Sequence, residues 1–381
     1  MNVLSLFDGM SCGRIALERV GIKVDNYYSS EIDKYAIQVA DKNYPQDGDK
    51  RLGSVIYLDE EYLKSLDIDL LIGGSPCQGF SMAGKMKGSS TKCGKDVTTL
   101  EQYLVLKDMG FEFDGQSYLF WEYIRVMRAI KPKYFFLENV RITKKWLPMF
   151  NEAMGVEPTR INSSLVSAQN RDRYYWHNFG EIPQPEDKGI LLRAVLEDAE
   201  VNYNSEPLIV PEATKKGYIE VKPGDCFDNC QPKSKTRRGR DMAKKSNAIL
   251  TSNGFVQYLG RPCELKDFNE NSTCHHAADA TDIKGNESVK RVYAESGKSP
   301  AMTTCQGGHR EPKVLQSETT YRKLTPLECE RLQTLGDNYT LVLGENNKQI
   351  VSNSQRYKMI GNGWTVDVIA HIFKGLNRKG K

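Results

Sequence analysis

Between residues 1 and 190, short apolar runs alternate with stretches of helical spacing, and this alternation constrains the fold more than any other feature of the chain. Val3–Phe7, Asn26–Ser30, Asp69–Gly73, Tyr134–Glu138 and Arg160–Ser164 read as strands. Gly13–Val20, Tyr35–Asn43 and Phe120–Ile130 read as helices between them. Strand and helix in turn predict an α/β domain with a mostly parallel sheet covered on both faces. An aromatic strand-like run, RYYWHNF (173–179), lies near the end of the block. Open α/β sheets gather ligands and chemistry on loops at the carboxyl ends of their strands.

The character changes near residue 190. ILLRAVLED (190–198) reads as a short helix, and about 120 residues rich in Lys, Asn, Ser, Gly and Thr follow, with few long apolar runs. Regularity returns in a helix over Leu324–Leu335, where Thr325 can cap and Pro326 fits the first turn. VSNSQRYKMIGNG (351–363) reads as a loop and WTVDVIAHIFKGL (364–376) as a final amphipathic helix. The expected division is 1–190, a smaller loop-rich domain over 191–321, and a return segment over 322–381. Lys and Arg number 53 against 49 Asp and Glu, a balance that tolerates a polyanionic partner without requiring one. The nine cysteines follow no disulfide rhythm, MNVLSLFDG opens like a strand, and no apolar run reaches the roughly 20 residues that span a bilayer. The expectation is a soluble protein of a reducing, intracellular compartment with no membrane partner. Cys226, Cys230, Cys263 and Cys274, with His275 and His276, lack a compact Cys-x2-Cys pair, so no metal site is expected.

Four stretches carry residues suited to chemistry. In GGSPCQGFS (73–81), Cys77 follows Pro76 directly beyond an apolar strand and a glycine break, a setting for an exposed nucleophile. In SLFDGMSCG (5–13), a strand passes through a glycine-flanked turn into a helix, which brings a ligand against backbone N–H groups. The pattern is not GxGxxG, so a nicotinamide cofactor is not indicated. Glu31, after the second strand, can accept bonds from ribose hydroxyls; a carboxylate answering a helix dipole is the alternative. In YFFLENV (134–140), Glu138 ends an apolar strand, where burial would suit it to hold or donate a proton; satisfying local backbone donors is the alternative. In QNRDR (169–173), Arg171 and Arg173 alternate, so both can face one way toward a phosphate or a polar base edge, or form surface salt bridges. A thiol, a carboxylic acid and a cationic donor together suit attack on an electron-poor ring.

These stretches resemble the motifs of the DNA (cytosine-5) methyltransferases of bacterial and phage type. SLFDGMSCG is similar to the family's first cofactor motif, SPCQGFS to its Pro-Cys loop, FFLENV to its Glu-Asn-Val motif and QNRDR to its Gln-x-Arg-x-Arg motif. RKLTPLECERLQ and QRYKMIGNG resemble the last two, and all six occur in family order along essentially the whole chain. The resemblance implies a Rossmann-like S-adenosylmethionine-dependent methyltransferase domain, with a target-recognition domain over 191–321. Cys77 would add to C6 of a flipped-out cytosine, Glu138 would hold N3 and its proton, Arg173 would bond to O2, and Arg171 would join this catalytic set or serve phosphate or a supporting contact instead. Phe7, Gly9, Ser11, Cys12, Gly13, Glu31, Ser54, Val55, Pro76, Leu119, Asn362 and Trp364 would form the cofactor pocket, with S-adenosylhomocysteine as product. Double-stranded DNA would meet Gln78, Ser81, Lys85, Lys87 and Gln169 in the first domain. Arg237, Arg238 and Arg240 of KSKTRRGR would meet its backbone, unless that run is a solvated linker. Thr303, Thr304, Gln306, His309 and Arg310 of PAMTTCQGGHREPK resemble the Thr- and Gly-rich loop presented to the major groove. A monomer in a bacterial or phage-infected cytoplasm is implied, and a cognate restriction endonuclease is left open.

Three departures from the family pattern stand out. Ser54 occupies the place of an Asp that bonds the adenine amine. Gly363-Trp364 replaces the common Ser-Val, and the tail WTVDVIAHIF resembles the Ser-Trp-Ser-Val ending of the animal de novo enzymes more than the usual bacterial Asn-Ser-Val. An insertion, KMKGSSTKCGKDVTTLEQYLVLKD (85–108), lies in the loop expected to close over DNA. Its first half is polar and lysine-bearing, as a phosphate-facing loop would be, and its second half has a short helical pattern; an ordinary surface excursion is the alternative. The rival readings are a tRNA cytosine-5 methyltransferase and a catalytically silent DNA-binding relative. Cys77, Glu138, Arg171 and Arg173 are all present, which argues against the latter.

Overall fold

The sheet is built by six strands: β1 (Asn2–Leu6), β2 (Asn26–Ser30), β3 (Leu70–Gly73), β4 (Tyr134–Val140), β5 (Thr159–Asn162) and β6 (Asp172–His177), in the order β2-β1-β3-β4-β6-β5. The computed structural model describes residues 1–76, 80, 89–197, 208–212, 215–221, 226–228, 255–257, 261–305, 308–317 and 320–378. β2, β1, β3 and β4 are parallel, and β6 runs antiparallel to both β4 and β5. All four residues of β3 are buried, the continuous apolar run of a strand covered on both faces.

The helices start where short polar side chains accept free N–H groups. Asp33 caps α2 (Lys34–Asn43), with its carboxylate accepting from Tyr35 N at 2.9 Å. Asp59 caps α3 (Glu60–Ser65) and Thr99 caps α4 (Leu100–Asp108) in the same way. α1 (Cys12–Arg19) follows β1 and α5 (Leu119–Ile130) precedes β4. α6 (Leu147–Met154) takes Pro148 in its first turn and stops at Gly155, φ 70°. The aromatic residues Phe80, Phe120, Trp121, Phe150 and Trp176 are buried in a core that also takes Leu4, Leu6 and Leu71.

Two compact units are present. The first comprises residues 1–190, 301–304 and 329–381; the second comprises 191–300 and 305–328. In the second, Arg261–Leu265, His276–Ala280, Arg291–Tyr293, Lys313–Ser317 and Thr320–Lys323 form a closed barrel around Ala278, Ala280, Ile283 and Val292. Antiparallel pairs link Leu208–Pro211 with Tyr218–Val221 and Cys226–Asp228 with Phe255–Gln257. These strands are too short to stand out in a Lys-, Asn- and Ser-rich stretch.

Two local expectations are corrected. Among the described residues of ILLRAVLED, 190–197, the helix expected is a single 3₁₀ turn, Leu192–Ala194. The run read as a loop before the last helix contains α8 (Asn353–Asn362), between α7 (Pro326–Leu332) and α9 (Val366–Arg378). Its Ser352 side chain accepts from Gln355 N at 3.4 Å, within a Ser-x-x-Gln start signal that the glycines obscured. Thr325 caps α7 as expected: its hydroxyl accepts from Glu328 N, while Glu328 accepts from Thr325 N. The second half of the insertion carries the expected helix, α4, and the insertion packs inward. Val97, Leu100 and Tyr103 are buried in the main core, Thr91 bridges Phe113, and Lys92 Nζ lies 2.5 Å from Glu112. Among the described residues, no helix is long and apolar enough to cross a membrane.

Candidate active site

β1 ends in a tight turn with three left-handed residues, Phe7 (φ 57°), Gly9 (φ 59°) and Ser11 (φ 63°). Two of the three carry a Cβ, so the surroundings must hold them there. Asp8 does much of this. It is buried, and its carboxylate accepts from Ser11 Oγ and from Tyr27 OH, each at 2.6 Å. Burial raises its pKa, only partly offset by those hydroxyl donors. Asp8 was absent from the candidate set, although it sits inside the motif that pointed there. A Cβ at Gly9 would meet nothing within 4 Å, so the turn leaves open space above its backbone.

Glu31, after β2, aims its carboxylate at this turn. Oε2 accepts from Gly9 N at 2.8 Å, and Oε1 accepts from Ile32 N and Asp33 N at 2.7 Å each. The backbone thus orients the carboxylate, and Oε2 keeps a lone pair for a hydroxyl ligand. Cys12 is buried, and burial pushes its thiol up to about 12, which leaves it inert. Gly13 is required by packing: a Cβ would stand 2.4 Å from Ile72 and 3.3 Å from both Trp364 and the Tyr27 hydroxyl. Ser54 begins the 3₁₀ turn Val55–Tyr57 without capping it through its side chain, and Val55 is buried. Leu119 opens α5, partly buried against the main core.

The ends of β3 and β4 form a second group. Cys77 itself, with Gln78, Ser81, Lys85 and Lys87, lies outside the described residues, but both flanks of Cys77 are fixed. On one side Asn139 donates Nδ2–H to Ser75 O at 3.3 Å and to Ser75 Oγ at 3.2 Å, ahead of the partly exposed Pro76. On the other, Phe80 is buried edge-on against Trp146 and Phe150, and its carbonyl accepts from Thr143 N at 3.3 Å. Glu138 is nine-tenths buried and pairs with Arg173, Nε to Oε1 3.2 Å. The N–H is not aligned for a hydrogen bond, so this is a charge contact free to reorganise. Arg173 also donates to Asp172 O at 2.8 Å. A Cβ on Gly74 would lie 2.9 Å from Trp364 Nε1 and 3.3 Å from Glu138 Oε2, so only glycine admits the indole and the carboxylate here.

Arg171 points elsewhere. Its guanidinium is buried and donates to three backbone carbonyls: Met302 O and Gly361 O at 3.2 Å each, and Gly363 O at 3.0 Å. Gln333 reinforces the same segment, donating to Ile360 O at 2.8 Å and to Gly363 O at 3.2 Å. Asn362 is exposed at the end of α8 and Trp364 is buried two residues on. Gln169, expected at DNA, is completely buried. Thr303 is exposed and Thr304 partly so, and a Cβ on Gly361 would stand 2.0 Å from Thr303 O, so that backbone lies directly on α8.

In the second unit, His309 and Arg310 are exposed, and Lys313 donates to His309 O at 2.7 Å and to Glu311 O at 3.0 Å, which shapes the loop carrying them. Arg237, Arg238, Arg240, Gln306 and Cys230 lie outside the described residues. Among those described, no group of three or more His, Cys, Asp or Glu is placed to hold a metal ion.

The model of the family described as C-5 cytosine-specific DNA methylase matches residues 1–378. The orphan methyltransferase M.SPBetaI of Bacillus phage SPbeta is 26% identical over 455 residues, covering 99% of this chain and 97% of that protein. The type II methyltransferase M.HhaI of Haemophilus parahaemolyticus is 24% identical, covering 98% and 93%. Among solved structures, the Entamoeba histolytica methyltransferase EhMeth superposes with a TM-score of 0.57 at 16% identity, covering 100% of this chain and 99% of that one, a likeness of fold. With a strand-end site of this make-up and a family match from its first residue to its last helix, the chain belongs to the C-5 cytosine-specific DNA methylases, a family of S-adenosylmethionine-dependent methyltransferases.

Proposed function

We propose that the protein is a site-specific DNA (cytosine-5) methyltransferase acting on duplex DNA through a covalent bond between Cys77 and cytosine C6. The observation that supports this most is the bracketing of Cys77: Asn139, next in sequence to Glu138, holds Ser75 before it, and a buried Phe80 anchors the chain after it. The target base must leave the stack, because C6 cannot be reached inside a duplex. Cys77 adds to C6 as a thiolate, and the electron pair displaced from the C5–C6 bond makes C5 nucleophilic. Glu138 holds N3 and its proton, and Arg173 donates to O2, where charge builds. After methylation, C5 loses its proton, the Cys77–C6 bond breaks and the ring is restored.

The residues fit S-adenosylmethionine by their own chemistry. The open turn at Gly9 admits a nucleoside against backbone, and the oriented carboxylate of Glu31 suits a ribose diol. Phe7 would lie against adenine, Ser54 and Val55 at its edge, and Leu119, Asn362 and Trp364 would complete the pocket. When bound, the cofactor supplies the methyl group that C5 receives. Arg171 is assigned a positioning role, because its donors reach backbone carbonyls. The second unit is proposed to recognise the target sequence, with its His309 and Arg310, and Thr303 and Thr304 of the first unit, toward the bases. The protein is taken to act as a monomer in a bacterial or phage-infected cell, with or without a cognate restriction endonuclease.

Expression in a host free of cytosine methylation, followed by base-resolution mapping of 5-methylcytosine, tests the activity. Methylation at one recurring DNA sequence is expected; methylated tRNA with unmodified DNA would favour the tRNA enzyme instead. Cys77→Ala should abolish trapping on 5-fluorocytosine DNA, where fluorine blocks release from C5, and a variant that still traps would overturn the nucleophile assignment.

A further inference from the structure

The insertion helix α4 contacts the turn that starts at Ser54. Glu122 on α5 is completely buried, and three side chains converge on it. Lys107 of α4 lies 2.5 Å from Oε1, Arg125 Nε donates to Oε2 at 2.7 Å, and the Tyr103 hydroxyl of α4 also donates to Oε1. A buried carboxylate needs such partners, since removal of one leaves a charge without compensation. Both cations also reach past Glu122 to one short segment. Arg125 donates to Val55 O at 3.0 Å and Leu58 O at 3.3 Å, and Lys107 to Ile56 O at 3.5 Å. Three carbonyls of the Val55–Leu58 stretch are thus gripped from two helices. On its own, this 3₁₀ turn has little rigidity: Tyr57 N reaches Ser54 O at 3.1 Å, and Leu58 N reaches Val55 O only at 3.4 Å. The grip continues through rings, with Tyr103 4.9 Å from Phe113 and Phe113 stacked on Tyr118 at 5.0 Å, next to Leu119.

We propose that Tyr103 and Lys107 of the insertion helix, acting through Glu122 and Arg125, are positioning residues for the adenine end of the cofactor site. This rests on the reading of Ser54 and Val55 as the adenine edge. Where a relative recognises the adenine amine with an Asp side chain, this chain has a hydroxyl, a weaker acceptor than a carboxylate. A backbone edge held rigidly at three carbonyls restores selectivity, because pre-ordered groups need not be fixed when the ligand arrives. The insertion is then part of the cofactor site, although Lys107 and Tyr103 touch no ligand.

The test measures two dissociation constants by calorimetry on the full chain without DNA: for S-adenosylhomocysteine, and for its inosine analogue, in which oxygen replaces the adenine amine. In Lys107→Met, preference for the adenine compound should narrow by about 5–10-fold, the size of one or two lost polar contacts. Lys107→Arg should restore it, and Val105→Ser, on the exposed side of the same helix, should leave it unchanged. Tyr103→Phe should give a smaller loss in the same direction. A Lys107→Met protein that melts earlier yet keeps the full preference would show that the cluster only stabilises the fold, and would overturn the proposal. If the unaltered protein binds neither compound, the cofactor reading itself fails and the proposal falls with it.

Discussion

Two carboxylates stand at strand ends in the first unit, and they are held in opposite ways. Glu31 accepts from three backbone N–H groups, whereas Glu138 faces one guanidinium at 3.2 Å and one indole nearby. Backbone donors survive every substitution except proline, so the Glu31 carboxylate keeps its orientation when neighbouring side chains change. The reacting end depends on a few replaceable side chains and on an ion pair without hydrogen-bond alignment. One end is built to bind the same shape repeatedly. Under the proposed function the other exchanges partners during the reaction, as a group that must hand over or receive a proton requires.

The sharpest test is Glu138→Gln. It should slow methyl transfer by about 10²–10⁴-fold, the range for a positioned proton-transfer group, and leave the affinity for S-adenosylhomocysteine unchanged. Normal single-turnover rates would remove Glu138 from the chemistry and collapse the contrast. Phe80→Ala comes next. Emptying a fully buried ring site should cost about 3–5 kcal/mol in denaturant unfolding. In protein that remains folded, trapping on 5-fluorocytosine DNA should slow, because one flank of Cys77 is then loose. Unimpaired trapping would mean that the other flank suffices. Glu31→Gln should weaken S-adenosylhomocysteine binding by about 10-fold, since an amide is a poorer acceptor for N–H and hydroxyl donors and presents an NH₂ to one of them. Its turnover at saturating cofactor should barely change, whereas a matching fall in turnover would show the two ends to be coupled.

The smallest effect is expected at Asp33. Burial alone would raise its pKa, but the Lys358 ammonium at 2.6 Å and the N–H groups of Tyr35 and Ala36 outweigh burial and lower it. The stabilisation is therefore present above the ordinary value of 3.8 and lost as pH falls through the lower folded value. Asp33→Ala should cost about 1 kcal/mol near neutrality through loss of the cap, with little further loss in acid, where the unaltered protein approaches the variant. A constant difference down to strongly acidic pH would contradict this.

Much of the first unit was legible because its signals are local. β2 has the bounds read from the sequence, and α2 and α5 begin within one residue of theirs, since buried parallel strands and capped helices announce themselves in composition. The barrel strands were not legible, because strands of three to five residues closing on one another leave no long apolar run. At the site, the motifs named Glu31, Glu138 and Arg173, but not their partners. Nothing in QNRDR says that Arg171 faces three carbonyls more than a hundred residues away, while Arg173 faces Glu138. The helix pattern of α4 was visible, but its grip on Glu122 and Ile56 depends on packing that no window of sequence contains.

The close seat of Thr303 on Gly361 bears on how such proteins can be re-engineered. Residues 301–304 belong by contact to the first unit, although the chain on either side of them belongs to the second. A chimaera that takes its second unit as one uninterrupted cassette from a related protein would import those four residues with it. It would then set a foreign backbone against a glycine whose missing Cβ leaves no slack, 2.0 Å from the native Thr303 oxygen. The workable exchange is a split one: residues 191–300 and 305–328 from the donor, with 301–304 retained together with Gly361 and Arg171 from the recipient.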